Sequence, residues 1–229
     1  TGQPIQMPEL SPLTYGHTDA RLILRVGGSM GDVYGQRLLK RDLNGYILNE
    51  EGVGLAMENK ETYLGSILPK MNMGWSLGFG YKGVNLGMTF TGRFGGIVIS
   101  ETQSVLDAAG VSKVSADVRD AGGVQINQSK VSAQTYYQTI QGTAAYYTYS
   151  ATNIRLGELS LSYTLPKKWF DNKVGMTVGL VGKNLWMIYC KAPFDPELTT
   201  SAASNFYQGF DAYMLPSTRN FGFNVKFQF

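Results

Sequence analysis

One histidine and one cysteine bound the chemistry open to this chain. A Ser-His-Asp triad or a zinc site needs imidazole or thiolate in company. His17 stands alone in an irregular N-terminal segment, and Cys190 alone supplies neither a disulfide framework nor a cysteine metal site. Arg155 and Glu158, three apart on an extended segment, are expected to face opposite sides, so they form no acid–base pair. The run "GGSMGDVYG" at 27–35 is glycine-rich, but no strand and helix flank it, so it is not read as a phosphate loop. The residues left are suited to recognition. Tyr136, Tyr137, Tyr146, Tyr147 and Tyr149 offer ring faces that stack on sugars, meet a partner, or pack their own loop. Asp195 and Glu197 in "FDPEL" line a cavity or make an Asp-Pro turn. No catalytic residue, metal or cofactor is assigned.

The elements that position these residues are strands. Hydrophobic residues make up 43% of 229 and charged ones 16%, against about 25% charged in soluble domains. Glycine (28) and tyrosine (14) are abundant, a mix that suits pleated strands and tight turns. The net charge of +3 is scattered, and no basic run interleaved with aromatics points to nucleic acid. No apolar run reaches the ~18 residues of a transmembrane helix. The opening "TGQPIQMPEL" has neither a basic nor an apolar signal region, so no signal peptide is expected within it.

Residues 1–70 read as irregular, with a short strand at 21–26 and a small hairpin around Asn44-Gly45 in "RDLNGYILNEEG". From Met71 the pattern becomes regular. Trp75, Leu77 and Phe79 share one parity of "MNMGWSLGFGY"; Leu86, Met88 and Phe90 share one of "VNLGMTFTG". Leu159, Leu161 and Tyr163 do so in "LGELSLSYTLP", and Phe221, Phe223, Val225, Phe227 and Phe229 in "FGFNVKFQF". The other parity is mostly glycine, serine, threonine and asparagine, with Glu158, Lys226 and Gln228. Strict period-two alternation predicts strands at about 71–81, 84–93, 154–165, 174–185 and 219–229. Between them, 94–153 reads as a long loop with a short helix in "ETQSVLDAAG", and 186–218 as a second irregular stretch.

Alternation alone also fits a soluble sheet with one wet face. Three features favour a membrane barrel. The segments run about 9–12 residues, the length a tilted strand needs to cross hydrocarbon. The apolar faces carry no charge. Aromatics gather at strand ends, as interfacial girdles do. A soluble β-sandwich is the alternative on pattern alone.

In this order along the chain, "GGSMGDVYG", "LGSILPKMNMGWSLGFGYKGVNLGMTFTGRFGG", "IRLGELSLSYTLPKKWF", "GKNLWMI", "FDPEL" and "LPSTRNFGFNVKFQF" resemble the SusC/RagA family of TonB-dependent outer-membrane transporters. The matches span roughly residues 26–229. The resemblance implies an all-β fold: the C-terminal strands of a plugged transmembrane barrel of about 22 strands, with long extracellular loops. The chain would then be a C-terminal portion of a longer parent in the bacterial outer membrane. Residues 1–70 and the loops 94–153 and 186–218 would be extracellular, and the turns at 82–83 and 166–173 periplasmic. The implied function is uptake of large nutrients, glycans or peptides. The implied partners are a SusD-like surface lipoprotein, the TonB complex acting through the plug, and outer-membrane lipid against the apolar parity. Phe227 and Phe229 would carry the aromatic signal read during barrel assembly. Family members often hold an Asp-x-Asn-x-Asp-Gly run suited to calcium. Here Tyr46 stands where another oxygen ligand is needed, and an ordinary hairpin is expected. A passive porin is the competing membrane function.

Overall fold

A computed structural model describes residues 5–6, 18–45, 47, 49–50, 54–127, 129–170, 174–198 and 209–228. Phe229, His17 and Tyr46 lie outside them. In chain order the strands and helices are β1 (Ile5–Gln6), β2 (Arg21–Leu24), β3 (Asp32–Leu39), β4 (Asn49–Glu50), β5 (Gly54–Leu55), β6 (Met57–Ser66), β7 (Met71–Tyr81), β8 (Val84–Phe94), β9 (Ile97–Ser100), α1 (Glu101–Ala108), α2 (Lys113–Asp120), β10 (Val124–Ile126), β11 (Ser129–Val131), α3 (Ala133–Ile140), β12 (Thr148–Ser150), β13 (Asn153–Thr164), β14 (Gly175–Cys190), β15 (Phe210–Asp211) and β16 (Asn220–Gln228). They divide between two compact units.

The sheet unit comprises 69–95, 151–196 and 215–229. It is one five-stranded antiparallel sheet in the order β16-β14-β13-β8-β7. Each strand pairs with the unit's next strand in sequence, so it is a simple meander. The β7–β8 turn is Lys82-Gly83, with φ of 45° and 89°. Two positive φ values make the tight hairpin turn whose twist matches the flanking strands. The 165–174 connection lies at the same end of the sheet, and both long excursions leave from the other end.

The second unit comprises 1–68, 96–150 and 197–214. Here the sequence-based expectation needs correcting. The segment expected as a long loop with one short helix holds three eight-residue helices, the first of them in the expected "ETQSVLDAAG". Each starts on a serine. Ser100, Ser112 and Ser132 accept the N–H of Gln103, Ser115 and Thr135 at 3.0, 3.0 and 3.1 Å. Each satisfies an otherwise orphaned donor of the first turn. α1 closes at Gly110, φ 73°, where the N–H of Val111 reaches back to Leu106 O at 3.1 Å. Likewise 1–70 is less irregular than expected, because the ten-residue β6 pairs along the whole of the eight-residue β3. Its charged residues Glu58, Lys60 and Glu61 hide the strand from any apolar count. The unit has two hydrophobic clusters. One joins Leu22, Val33, Ile67, Ile99 and Phe210. The other joins Leu39, Leu55, Ile126, Tyr137, Ile140 and Tyr147. The Asn44-Gly45 segment is a turn: the N–H of Asn44 meets Asp42 Oδ1 at 2.9 Å, Gly45 has φ 84°, and Arg41 bridges to Ile47.

Candidate functional site

The pleat of the sheet sorts its residues into two continuous surfaces. Register places Phe79, Leu86, Leu161, Leu180 and Phe223 in one row across all five strands. The next row on the same face is Tyr81, Val84, Tyr163, Val178 and Val225. On the other side of it run Leu77, Met88, Leu159 and Phe221, interrupted by Gly182. Beyond that, Trp75 packs on Phe90 with ring centroids 5.9 Å apart. Phe227 pairs with Met176 at the far end of β16. This face holds no charge, and much of it is uncovered. Trp75 is 62% exposed, Phe223 69% and Phe221 80%. Contiguous apolar surface on this scale marks an interface with something other than water.

The reverse face is small and polar. Its rows are Gly80, Asn85, Ser162, Gly179 and Asn224, then Gly78, Gly87, Ser160, Val181 and Gly222, with Val181 the one apolar exception among these rows, then Ser76, Thr89, Glu158, Lys183 and Asn220. Hydroxyls pair across strands, Ser76 with Thr89 and Thr164 with Thr177, each at 3.1 Å. Some of the glycines here are filled from next door, whereas Gly74 and Gly78 are open. A Cβ on Gly179 would sit 2.5 Å from Asn224 Oδ1, and one on Gly87 2.6 Å from Ser160 Oγ. At Gly179 and Gly87 a polar side chain of one strand therefore lies over the glycine of the next.

A bulge rearranges the end of the sheet opposite the short turns. Leu156 pairs with Phe90 and Glu158 with Thr89, so Gly157 is an extra residue. Arg155 then faces the way Glu158 does, because their β8 partners Thr91 and Thr89 are two apart. The expectation that these two point to opposite faces fails for that reason. They still do not act as a pair. Glu158 lies 3.7 Å from Lys183, whereas Arg155 donates to both carboxylate oxygens of Asp195 at 3.0 and 2.7 Å. The side chains of Arg155 and Asp195 are only 10% and 8% exposed. A buried, bidentate guanidinium–carboxylate pair fixes geometry strongly. It ties the residues after β14 back to β13. Asp195 spends both oxygens on this contact, while Glu197 is exposed. Asn184 of the "GKNL" motif has φ 53°. It sits in a matching irregularity of β14 and donates to Thr218 O at 3.2 Å. Asparagine tolerates that left-handed geometry better than other side-chain-bearing residues.

In the second unit the five tyrosines converge on one cluster. Tyr137 and Tyr147 are buried in it, and Tyr136, Tyr146 and Tyr149 pack around them. Tyr136 and Tyr137 meet edge to face at 5.2 Å. Tyr146 Oη accepts the Leu39 N–H at 3.2 Å. Burial, then the Asp107 carboxylate, pushes the Tyr149 phenol up to about 12. The same two causes, in the same order, push Tyr147 higher. Little ring surface of Tyr137 and Tyr147 remains for a ligand. Among the described residues, no group of three or more His, Cys, Asp or Glu is placed to hold a metal ion.

No protein-family profile matches the chain, and no curated protein does. Solved structures do. The RagAB peptide transporter matches at a TM-score of 0.53 and 21% identity, over 81% of this chain and 21% of that one. The RagAB peptide importer in its "closed-closed" state matches at 0.51 and 17%, over 82% and 21%. The chain shares its fold with the RagAB transporter chains. It spans about a fifth of their length. The RagAB likeness is therefore one of architecture, and it coincides with the family named by the sequence motifs.

Proposed function

We propose that this chain is barrel wall and extracellular cap of a SusC/RagA-family TonB-dependent importer in the bacterial outer membrane. The reading rests on one observation above all: a five-stranded meander with a continuous, uncharged, uncovered apolar face and a small polar reverse face. In this reading lipid covers the apolar face, and the polar face lines a lumen. The open sides of β7 and β16 pair with further strands, because unpaired backbone groups are costly in hydrocarbon. The helical unit, on the excursions from the end opposite the short turns, lies outside the cell and faces a SusD-like lipoprotein. Energy comes from TonB, and the cargo is a large nutrient, glycan or peptide. The RagAB likeness supports transport and favours peptide within that class. No residue is given a catalytic role.

The test is uptake. Cells carrying the full protein, fed a labelled oligopeptide mixture, should accumulate it only when TonB is intact. A SusD-like lipoprotein should co-purify in detergent. Uptake that persists without TonB supports the porin reading instead.

A further inference from the structure

The helices of the second unit enclose a groove of about 500 Å³ that the import reading leaves unused. It is bounded by the end of α1, by α2 and by the start of α3. That size holds a small organic molecule. Three of its residues are more than nine-tenths buried, Asp107 at 6%, Ser115 at 2% and Tyr137 at 7% exposure, and Ser115 Oγ is already partnered by Ser112. Asp107 Oδ1 accepts from Gln103 Nε2 at 2.7 Å. Asp107 Oδ2 and Tyr137 Oη take no hydrogen bond from any described residue, yet neither is sealed from solvent as the Tyr147 hydroxyl is. Buried polar groups are almost always partnered. These two, on residues lining one groove, have no partner among the described residues, so a ligand's donor can take the place that water otherwise fills.

The groove also has a positive side. Arg119 lines it, with Nη1 3.9 Å from where a Cβ on Gly110 would stand. Its ion pair with Asp120 is long, 3.9 Å, and exposed. That leaves the guanidinium available to a better-placed anion. α3 begins here too. Ser132 Oγ caps the Thr135 N–H, and the amides of Ala133 and Gln134 precede the first intrahelical bond. The end of α1 carries the opposite pole. A carboxylate and the C-terminal end of one helix thus share a groove with a guanidinium and the N-terminal end of another.

We propose that this groove binds a small zwitterion of the α-amino-acid class, its ammonium at Asp107 and Tyr137 and its carboxylate at Arg119 and the first amides of α3. The proposal stands on the groove and does not depend on the import reading. The test is titration calorimetry of the full protein in detergent with L-alanine as probe. Saturable binding is expected. N-acetylalanine, lacking the ammonium, and alaninamide, lacking the carboxylate, should each bind roughly tenfold or more weakly. Asp107→Asn and Arg119→Gln should each weaken alanine to a similar degree. Arg119 is exposed, so its variant decides the matter if Asp107→Asn fails to fold. The proposal is overturned if alanine shows no saturable binding to the unaltered protein. It is equally overturned if Arg119→Gln and both single-charge analogues retain full affinity. Loss of TonB should leave this binding unchanged, which separates it from the uptake experiment.

Discussion

The two units place their hydrophobic residues in opposite directions. Both clusters of buried apolar residues belong wholly to the helical unit, and the five-stranded sheet contributes to neither. The sheet instead turns Trp75, Phe79, Leu161, Leu180 and Phe223 outward. One unit is built as proteins in water are built, with its apolar side chains inside. The other turns its apolar side chains outward, which is what the proposed lipid-facing wall requires, since in hydrocarbon burial against protein is unnecessary and backbone pairing is compulsory. The contrast explains why the sheet has long ladders and no core, and why the buried charged pair Arg155–Asp195 sits at the strand ends, beside the bulge and irregular chain.

That pair gives the largest expected effect. Arg155→Ala leaves Asp195 buried without its guanidinium, and removing one partner of a buried pair costs about 3–5 kcal/mol. Urea unfolding of the protein from lipid vesicles should show the loss. A cost under ~1 kcal/mol would mean that the residues after β14 are held by other contacts. Next is a pair of lysines that contrasts the two faces. Leu161→Lys, in the middle of the apolar row, should cost about 2–4 kcal/mol in the same assay. Thr89→Lys, on the polar face, should stay within about 0.5 kcal/mol. Equal costs would remove the distinction between the faces.

The helical unit should respond in the opposite sense to a loss of polarity. Tyr147 Oη is sealed without a partner, so Tyr147→Phe should raise melting stability by about 1 kcal/mol. Loss of stability would mean that the hydroxyl has a role in the fold. The last effect concerns pH and is confined to the alkaline limb of the stability profile. With the Tyr149 phenol held near about 12, against 10.0 ordinarily, the folded protein keeps a proton that the unfolded chain releases. This contribution is complete below about pH 10 and is lost as pH rises toward 12. Tyr149→Phe should flatten that part of the stability profile. An unchanged slope would assign it to other groups.

Much of the sheet was legible, and for a physical reason. A bilayer-type face tolerates no polar interruption, so period two runs unbroken through Met71–Tyr81, Val84–Phe94 and Asn220–Gln228. The extra residue Gly157 was not legible. Its effect, putting Arg155 beside Glu158 on one face, appears only once β8 is paired. Of the three eight-residue helices α1 was legible, as the short helix in "ETQSVLDAAG"; α2 and α3 are too short for a periodic count to resolve. The signal of all three was present in the capping serines, with Ser100 and Gln103 spaced as a capping box. Arg155 and Asp195 are 40 apart in sequence, and no local pattern announces such a partnership. The tyrosines were legible as a group but not by role. Ring type does not reveal that Tyr137 and Tyr147 point into a core.

The central claim is that the sheet's apolar face meets lipid and its reverse face meets water. Spin labels scanned singly along β8, in a Cys190→Ser background of the full protein reconstituted in bilayers, test it directly. Labels at Leu86, Met88 and Phe90 should collide with oxygen dissolved in lipid, and labels at Asn85, Thr89 and Thr91 with an aqueous nickel chelate, alternating residue by residue. Uniform accessibility along the strand, or alternation in the reverse sense, would contradict the account.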